Sequence, residues 1–242
     1  MKMIAGGVTA AKGFSANGVH CGIRKNKIKK DLALIMSAVP ATAAAVYTTN
    51  LVKGAPLLVT KAHIQNGVAQ AVICNSGNAN TCNANGVQVA EEMSKLVADA
   101  TGIDQNDVVV ASTGVIGQPL DISPVKKSMP DLVAGLSPDV LGGRSAAEAI
   151  MTTDTISKEV AVEFEVGGKV CHLGGIAKGS GMIHPNMATM LVFITTDAAI
   201  SPAMLQKAVS ADVQNTFNMV SIDGDTSTND MVAVLANGMA GN

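Results

Sequence analysis

Tryptophan is absent from this 242-residue sequence, and aromatic residues of all kinds make up only 2% of it. A core built from this chain has little ring area. It must be assembled from Ala, Val, Leu, Ile and Met, and with apolar residues at 48% the material is there. Charge is also scarce, at 15% of residues with a formal net of −2. There is no basic surplus to follow a phosphate backbone, which excludes nucleic-acid binding as a function class. No apolar run approaches the ~20 residues needed to cross a bilayer, and the N-terminus carries no signal-peptide core. The expectation is a soluble, cytoplasmic protein with no membrane partner. The four cysteines, Cys21, Cys74, Cys82 and Cys171, form no Cys-x-x-Cys pair and read as reduced thiols of a reducing compartment. The four histidines are scattered and no His-Glu-x-x-His occurs, so no metal site is expected. A phosphate-binding glycine loop and a Gly-x-Ser-x-Gly elbow are also missing, and the acid-rich stretch 221–230 lacks the spacing of a calcium loop.

What is present is a series of short apolar runs separated by loops of small residues. The runs 32–36, 71–74, 108–111 and 190–194 read as buried strands. Helices are expected over 59–65, 85–100, 123–136 and 143–151, and again after Ser201-Pro202, an N-cap followed by a first-turn proline. In 85–100, Val87, Ala90, Met93, Val97 and Ala100 share one face. Glu91 and Lys95 pair at i,i+4, and Gly102 stops the helix. Asn17-Gly18 reads as a hairpin turn, and Gly167-Gly168 as the turn joining an alternating strand over 160–166 to its return over 169–177. The basic cluster 25–30 reads as a solvated turn, and 40–55, with no clear period, as loop plus strand. The length suits one large domain or two small ones. Strands early and mixed elements later give an α/β class, with helices packed over sheets.

Three strand-to-loop junctions carry the residues suited to chemistry: 74–80, 112–117 and 188–189. The first is dense in Ser, Gly and Asn, which offer backbone N–H groups and short amides at one place, or alternatively cap the helix that follows. At the third, Thr189 stands where a loop enters an apolar strand, as a nucleophile or as an ordinary β-branched strand residue. Acyl transfer needs a nucleophile, a base and donors for an oxyanion. No histidine base lies nearby in sequence. A break between Ala188 and Thr189 would supply one, because the new α-amine titrates near ~8. A threonine with its own N-terminal amine is a known variant of the triad logic.

The stretch 178–191, KGSGMIHPNMATML, resembles the self-processing segment of the ornithine acetyltransferase (glutamate N-acetyltransferase) family. So do, in order along essentially the whole chain, GGVTAAKGF at 6–14, KDLALI at 30–35, NSGNAN at 75–80, AIMTTDT at 149–155 and DGDTSTND at 223–230. The resemblance implies an αββα-like layered sandwich of the ornithine acetyltransferase/aminopeptidase type. It implies self-cleavage between Ala188 and Thr189 into an α region, 1–188, and the start of a β region, 189–242, assembling as an α2β2 heterotetramer. Thr189 is then the nucleophile, taking acetyl from N-acetylornithine and passing it to glutamate in arginine biosynthesis. Thr113 and Gly114 match the family's oxyanion pair. Lys178 matches a substrate-binding lysine and Thr152 a substrate-binding threonine, with Thr153 next to it. No cofactor is implied, and some members accept acetyl-CoA as donor. Family members run well past the equivalent of Asn242, so the chain reads as short at that end. Two alternatives stand beside this reading: a related self-processing hydrolase or aminopeptidase, and an inactive truncated remnant.

Overall fold

The structure is a computed structural model and describes residues 1–182 and 190–242. The elements run β1 (Lys2–Ile4), β2 (Phe14–Val19), β3 (Leu32–Tyr47), α1 (Ala55–His63), β4 (Val68–Asn78), α2 (Gly86–Thr101) and β5 (Val108–Val115). Then come α3 (Ser123–Ala134), α4 (Val140–Ile150), β6 (Lys158–Val166), β7 (Lys169–Lys178), β8 (Leu191–Thr196), α5 (Pro202–Asn215) and β9 (Met231–Ala236).

Hydrogen bonding among the described strands is continuous in the order β1-β6-β7-β8-β9-β3-β4-β5, with β2 added to β3. The long β3 makes this possible. Its first half pairs with β2 and β4, a shift of register falls between Met36 and Ala41, and residues 42–47 pair with β9. The ladder therefore passes from one layer to another through a single strand.

Period-two alternation shows the layers. Ala33, Ile35, Val72, Cys74, Val109 and Ala111 share one buried cluster with Ile176, Leu191, Phe193, Met231, Ala233 and Leu235. Two sheet faces thus pack on each other, and α4 adds Ala146, Ala147, Ala149 and Ile150 to the same cluster. The intervening residues point outward. Leu34, Ile73, Val108 and Val110 meet α2 and α3; Val192, Val232 and Val234 meet α5. The result is helices, sheet, sheet, helix, the layered α/β sandwich expected. Strands buried on both faces read as unbroken apolar runs, which is why the sequence marked them.

Several local expectations are corrected. Asn17-Gly18 is not a turn but lies inside β2. The Asn17 side chain accepts from the Gly18 N–H and donates to the Leu132 carbonyl. A Cβ on Gly18 would lie 2.1 Å from the Ser145 carbonyl oxygen of α4, so glycine here serves close packing of helix on strand. Residues 40–47 belong to β3, and α1 starts at Ala55. The inward face of α2 is Val89, Ala90, Met93, Ser94 and Val97, with Val87 and Ala100 exposed. Lys95 pairs with Asp99, while Glu91 meets His63 and Gln105. In β6 the buried residue is Ala161, and Val160 and Val166 are exposed. In α5, Leu205, Val209 and Val213 are buried and Ala208 is exposed.

Candidate active site

The carboxyl ends of β4 and β5 run in parallel, with Ser76 opposite Thr113 and Gly77 opposite Gly114. Gly114 has φ +135°, and a Cβ there would sit 2.3 Å from the Gly77 carbonyl carbon. Only glycine allows these two strand ends to approach so closely. The loop after β4 braces itself. Asn75 Oδ1 accepts from the Ser112 hydroxyl (2.6 Å) and Asn75 Nδ2 donates to the Asn78 carbonyl (2.9 Å). Asn78 Oδ1 accepts from the Asn80 N–H (2.7 Å), and Asn80 Nδ2 donates to the Gly86 carbonyl at the start of α2. These amides build the scaffold beneath the site.

The other wall comes from the second sheet. Lys178, the last residue of β7, is buried, and its Nζ donates to Thr113 Oγ1 at 3.0 Å. The hydroxyl oxygen accepts that bond, which leaves the hydroxyl proton free to donate to another group. Burial pulls the Lys178 ammonium below the ordinary lysine range, and the nearby Asp154 carboxylate works against the shift. The buried carboxylate of Asp154 takes the Gly179 N–H (2.8 Å), the Thr152 N–H (3.2 Å) and the Lys158 ammonium (2.5 Å). Burial alone would raise its pKa, but these bonds outweigh it, and Asp154 lies below the usual carboxylate range. Asp230 goes the other way: burial pushes its carboxyl up to about 8.

Thr113, Gly114, Thr152, Thr153 and Lys178 all line one cleft of about 570 Å³. Asp223, Asp225 and Thr228 face it from the loop before β9, and Arg24, which donates to the Met151 carbonyl, lies at its side. Of the residues expected at the site, four meet here. Ala188 and Thr189 lie outside the described residues. Met190, next in the chain, donates its N–H to Asp230 Oδ1 at 2.9 Å. A wider groove of about 760 Å³ between α1 and α5 holds none of these residues. Among the described residues, no group of three or more His, Cys, Asp or Glu is placed to hold a metal, and no helix is long and apolar enough to cross a membrane.

Three residues at the site were not anticipated. Asn229 Nδ2 donates to the Ala79 and Ser112 carbonyls (2.7 and 2.9 Å) and its Oδ1 accepts from Thr81 and Thr228 (2.6 Å each). It ties the loop before β9 to both strand ends of the first sheet. Asp154 and Asp230 are the buried carboxylates on either side of Lys178. The available signal was position: Asp230 stands directly ahead of the apolar run of β9, where a carboxylate is buried with the strand it precedes.

The ArgJ family model matches residues 15–242. The arginine biosynthesis bifunctional protein ArgJ of Symbiobacterium thermophilum is 54% identical over all of this chain and 60% of its own length. The chain thus spans about 60% of the length of the curated relatives it matches. The crystal structure of the corresponding protein of Bacillus halodurans is 44% identical, with a TM-score of 0.73, covering 78% of this chain and 97% of that one. The structure of Mycobacterium tuberculosis ornithine acetyltransferase complexed with ornithine is 35% identical, with a TM-score of 0.69, over 78% of this chain and 99% of that one.

Proposed function

The chain belongs to the ArgJ family, and from that premise we propose that it is the greater part of an acyltransferase of arginine biosynthesis. The reaction moves acetyl from N-acetylornithine to glutamate, with acetyl-CoA as an alternative donor and no resident cofactor. The precursor cuts itself between Ala188 and Thr189, and the pieces 1–188 and the one starting at Thr189 assemble as α2β2 in the cytoplasm. The observation that carries the reading is the Lys178–Thr113 bond. It joins the two sheets inside a cleft at the place where Gly114 lets two strand ends touch.

The chemistry follows from the groups named. The Thr189 hydroxyl attacks the acetyl carbonyl and gives its proton to the Thr189 α-amine. The carbonyl oxygen becomes an oxyanion, held by the Thr113 O–H and the Gly114 N–H. As the tetrahedral centre collapses, the C–N bond to ornithine breaks and the ammonium returns the proton to the leaving amine. Acetyl-threonine remains. The glutamate amine attacks it by the same route in reverse and leaves as N-acetylglutamate. Lys178, bonded to Thr113, orients that hydroxyl and places positive charge beside the developing oxyanion.

The test is the full-length precursor and its Thr189→Ala variant, followed by intact mass and by acetyl transfer. The wild type is expected to yield two chains and N-acetylglutamate; the variant is expected to stay whole and inactive. Cleavage of the variant at the same bond, or release of free acetate in place of N-acetylglutamate, would overturn the reading.

A further inference from the structure

Arg24 is a cation at the cleft that the proposed reaction does not yet use. It lies on the loop between β2 and β3, and Asp31 holds that loop from beneath. Asp31 is buried, and its carboxylate accepts the backbone N–H groups of Cys21 (2.6 Å), Gly22 (3.2 Å) and Arg24 itself (2.9 Å). A carboxylate committed to main-chain donors fixes the path of a loop. The Arg24 stem then runs over Gly77, which has φ +109° and where a Cβ would lie 2.8 Å from Arg24 Cγ. Gly77 is the residue opposite Gly114. Past Gly77 the guanidinium reaches the cleft and donates to the Met151 carbonyl, next to Thr152. A guanidinium carries several N–H donors in a planar fork, so this bond leaves others to give. The carboxylates whose charge Arg24 feels, Asp31 and Asp154, have their oxygens committed to main-chain N–H groups and to Lys158.

What this cation would meet is defined by what the two substrates share. N-acetylornithine and glutamate differ at the side chain, which ends in an ammonium in one and a carboxylate in the other. They have in common the α-carbon, its nitrogen and its carboxylate. In the donor, only the amide nitrogen and the α-carbon separate that carboxylate from the acyl carbon. With the acyl oxygen held by Thr113 and Gly114, the carboxylate lies within a few ångströms of both. The described residues lining the cleft include two cations. Lys178 is bonded to Thr113 and serves the oxyanion. Arg24, one glycine away from Gly114, remains. Resting on the acetyl-transfer reading above, we propose that Arg24 is a specificity-determining residue that receives the α-carboxylate of both the acetyl donor and the acetyl acceptor, through the donors that Met151 leaves. One fixed fork then serves both half-reactions, whatever the charge at the end of the side chain.

The experiment compares N-acetylornithine with its carboxamide, a neutral analogue of the same shape, as donors for the full-length enzyme and for Arg24→Met, which keeps much of the stem and removes the charge. Wild type is expected to prefer the acid at least about tenfold in kcat/KM. Arg24→Met is expected to lose at least about tenfold on the acid and less than about threefold on the carboxamide, so that the preference collapses. Its kcat/KM for glutamate should fall in step. Product inhibition by ornithine against ornithinamide reads the same preference without turnover of the amide. A merely structural role would lower acid and carboxamide alike. Should Arg24→Met fail to fold, Arg24→Lys decides: it keeps the charge without the fork, and is expected to raise KM for the acid at least about threefold while leaving KM for the carboxamide unchanged. A wild type that does not distinguish acid from carboxamide, a variant that loses both equally, a folded Arg24→Met with wild-type kcat/KM on the acid, or a loss confined to the donor would each overturn the proposal. Wild-type transfer from N-acetylornithine to glutamate separates the two levels. If it does not occur, the reading of the site has failed; if it occurs and the preference is the same with and without Arg24, only the role of Arg24 has failed.

Discussion

The two sheets that meet at the cleft are insulated differently. The sheet of β2, the start of β3, β4 and β5 is backed by α1, α2 and α3, with Met93, Val97 and Leu132 fully buried behind it. The sheet of β1, β6, β7, β8 and β9 is backed by α5, and its strand β6 leaves Val160 and Val166 exposed. Their contributions to the site divide along the same line. The insulated sheet supplies the donors of fixed position, the Thr113 hydroxyl and the Gly114 N–H, which need rigidity more than charge. The second sheet and the loops leading into it supply Lys178, Asp154 and Asp230, buried groups whose protonation is set by burial and by their partners. A site of this kind keeps geometry and titration on separate supports.

The strongest way to break the comparison is to remove a fixed donor. Thr113→Ala should lower acetyl transfer about 10²–10³-fold, or ~3–4 kcal/mol, with the melting curve unchanged. A variant that loses stability and keeps its rate would mean that Thr113 braces the fold instead. The next effect concerns the two helix layers. Met93→Ala opens a cavity in a fully buried cluster and should cost about 2–5 kcal/mol in denaturant unfolding, whereas Leu205→Ala on α5 should stay near the low end, about 2 kcal/mol. Equal losses would show that the two sheets are insulated alike.

The third effect is a slope with pH, and its sign differs between the two carboxyls. Asp154 has a folded pKa below its unfolded value of ~3.9. Its contribution is complete above that value and is lost as the pH falls through the folded pKa. Asp230 has its pKa raised to about 8. Between ~3.9 and 8 the unfolded chain has released that proton and the folded chain holds it, so stability falls as the pH rises. Asp154→Asn should flatten the acid limb of a stability–pH curve, below ~3.9, and Asp230→Asn the fall between ~3.9 and 8. Two substitutions flattening the same limb would contradict the assignment. The smallest effect lies far from both sheets: Lys95→Ala, which removes the exposed pair with Asp99, should change stability by about 0.3–0.5 kcal/mol.

What could be read from the sequence follows the physics of burial. The strands at 32–36, 71–74, 108–111 and 190–194 stood out because both their faces are covered, and covered strands carry no polar interruption. The extension of β3 through 40–47 did not stand out. Its Ala and Thr residues are small and weakly patterned, and its identity as a strand comes from pairing with β9, nearly 190 residues away in sequence. Asn17-Gly18 misled because the dipeptide favoured in turns was selected here by the approach of α4. At the site, Thr113, Gly114, Thr152 and Lys178 were legible through the family resemblance, which quotes whole motifs. Asn229, Asp154 and Asp230 were not. A buried carboxylate has the same letter as an exposed one, and what distinguishes it is a partner brought in by the fold.

β8 and β9 lie between β7 on one side and β3 on the other, although both follow residue 189 and both neighbours precede it. A chain broken ahead of β8 would hold its second piece as an inlay with seams on two sides, kept in place by its ladders with β7 and β3. The order of the folding reaction does depend on that break. The intact chain refolds in a first-order step. After the break, melting releases two polypeptides, and recovery requires them to meet, at a rate that falls with dilution. Cutting would leave the folded molecule nearly unaltered while making its unfolding, at low concentration, effectively irreversible.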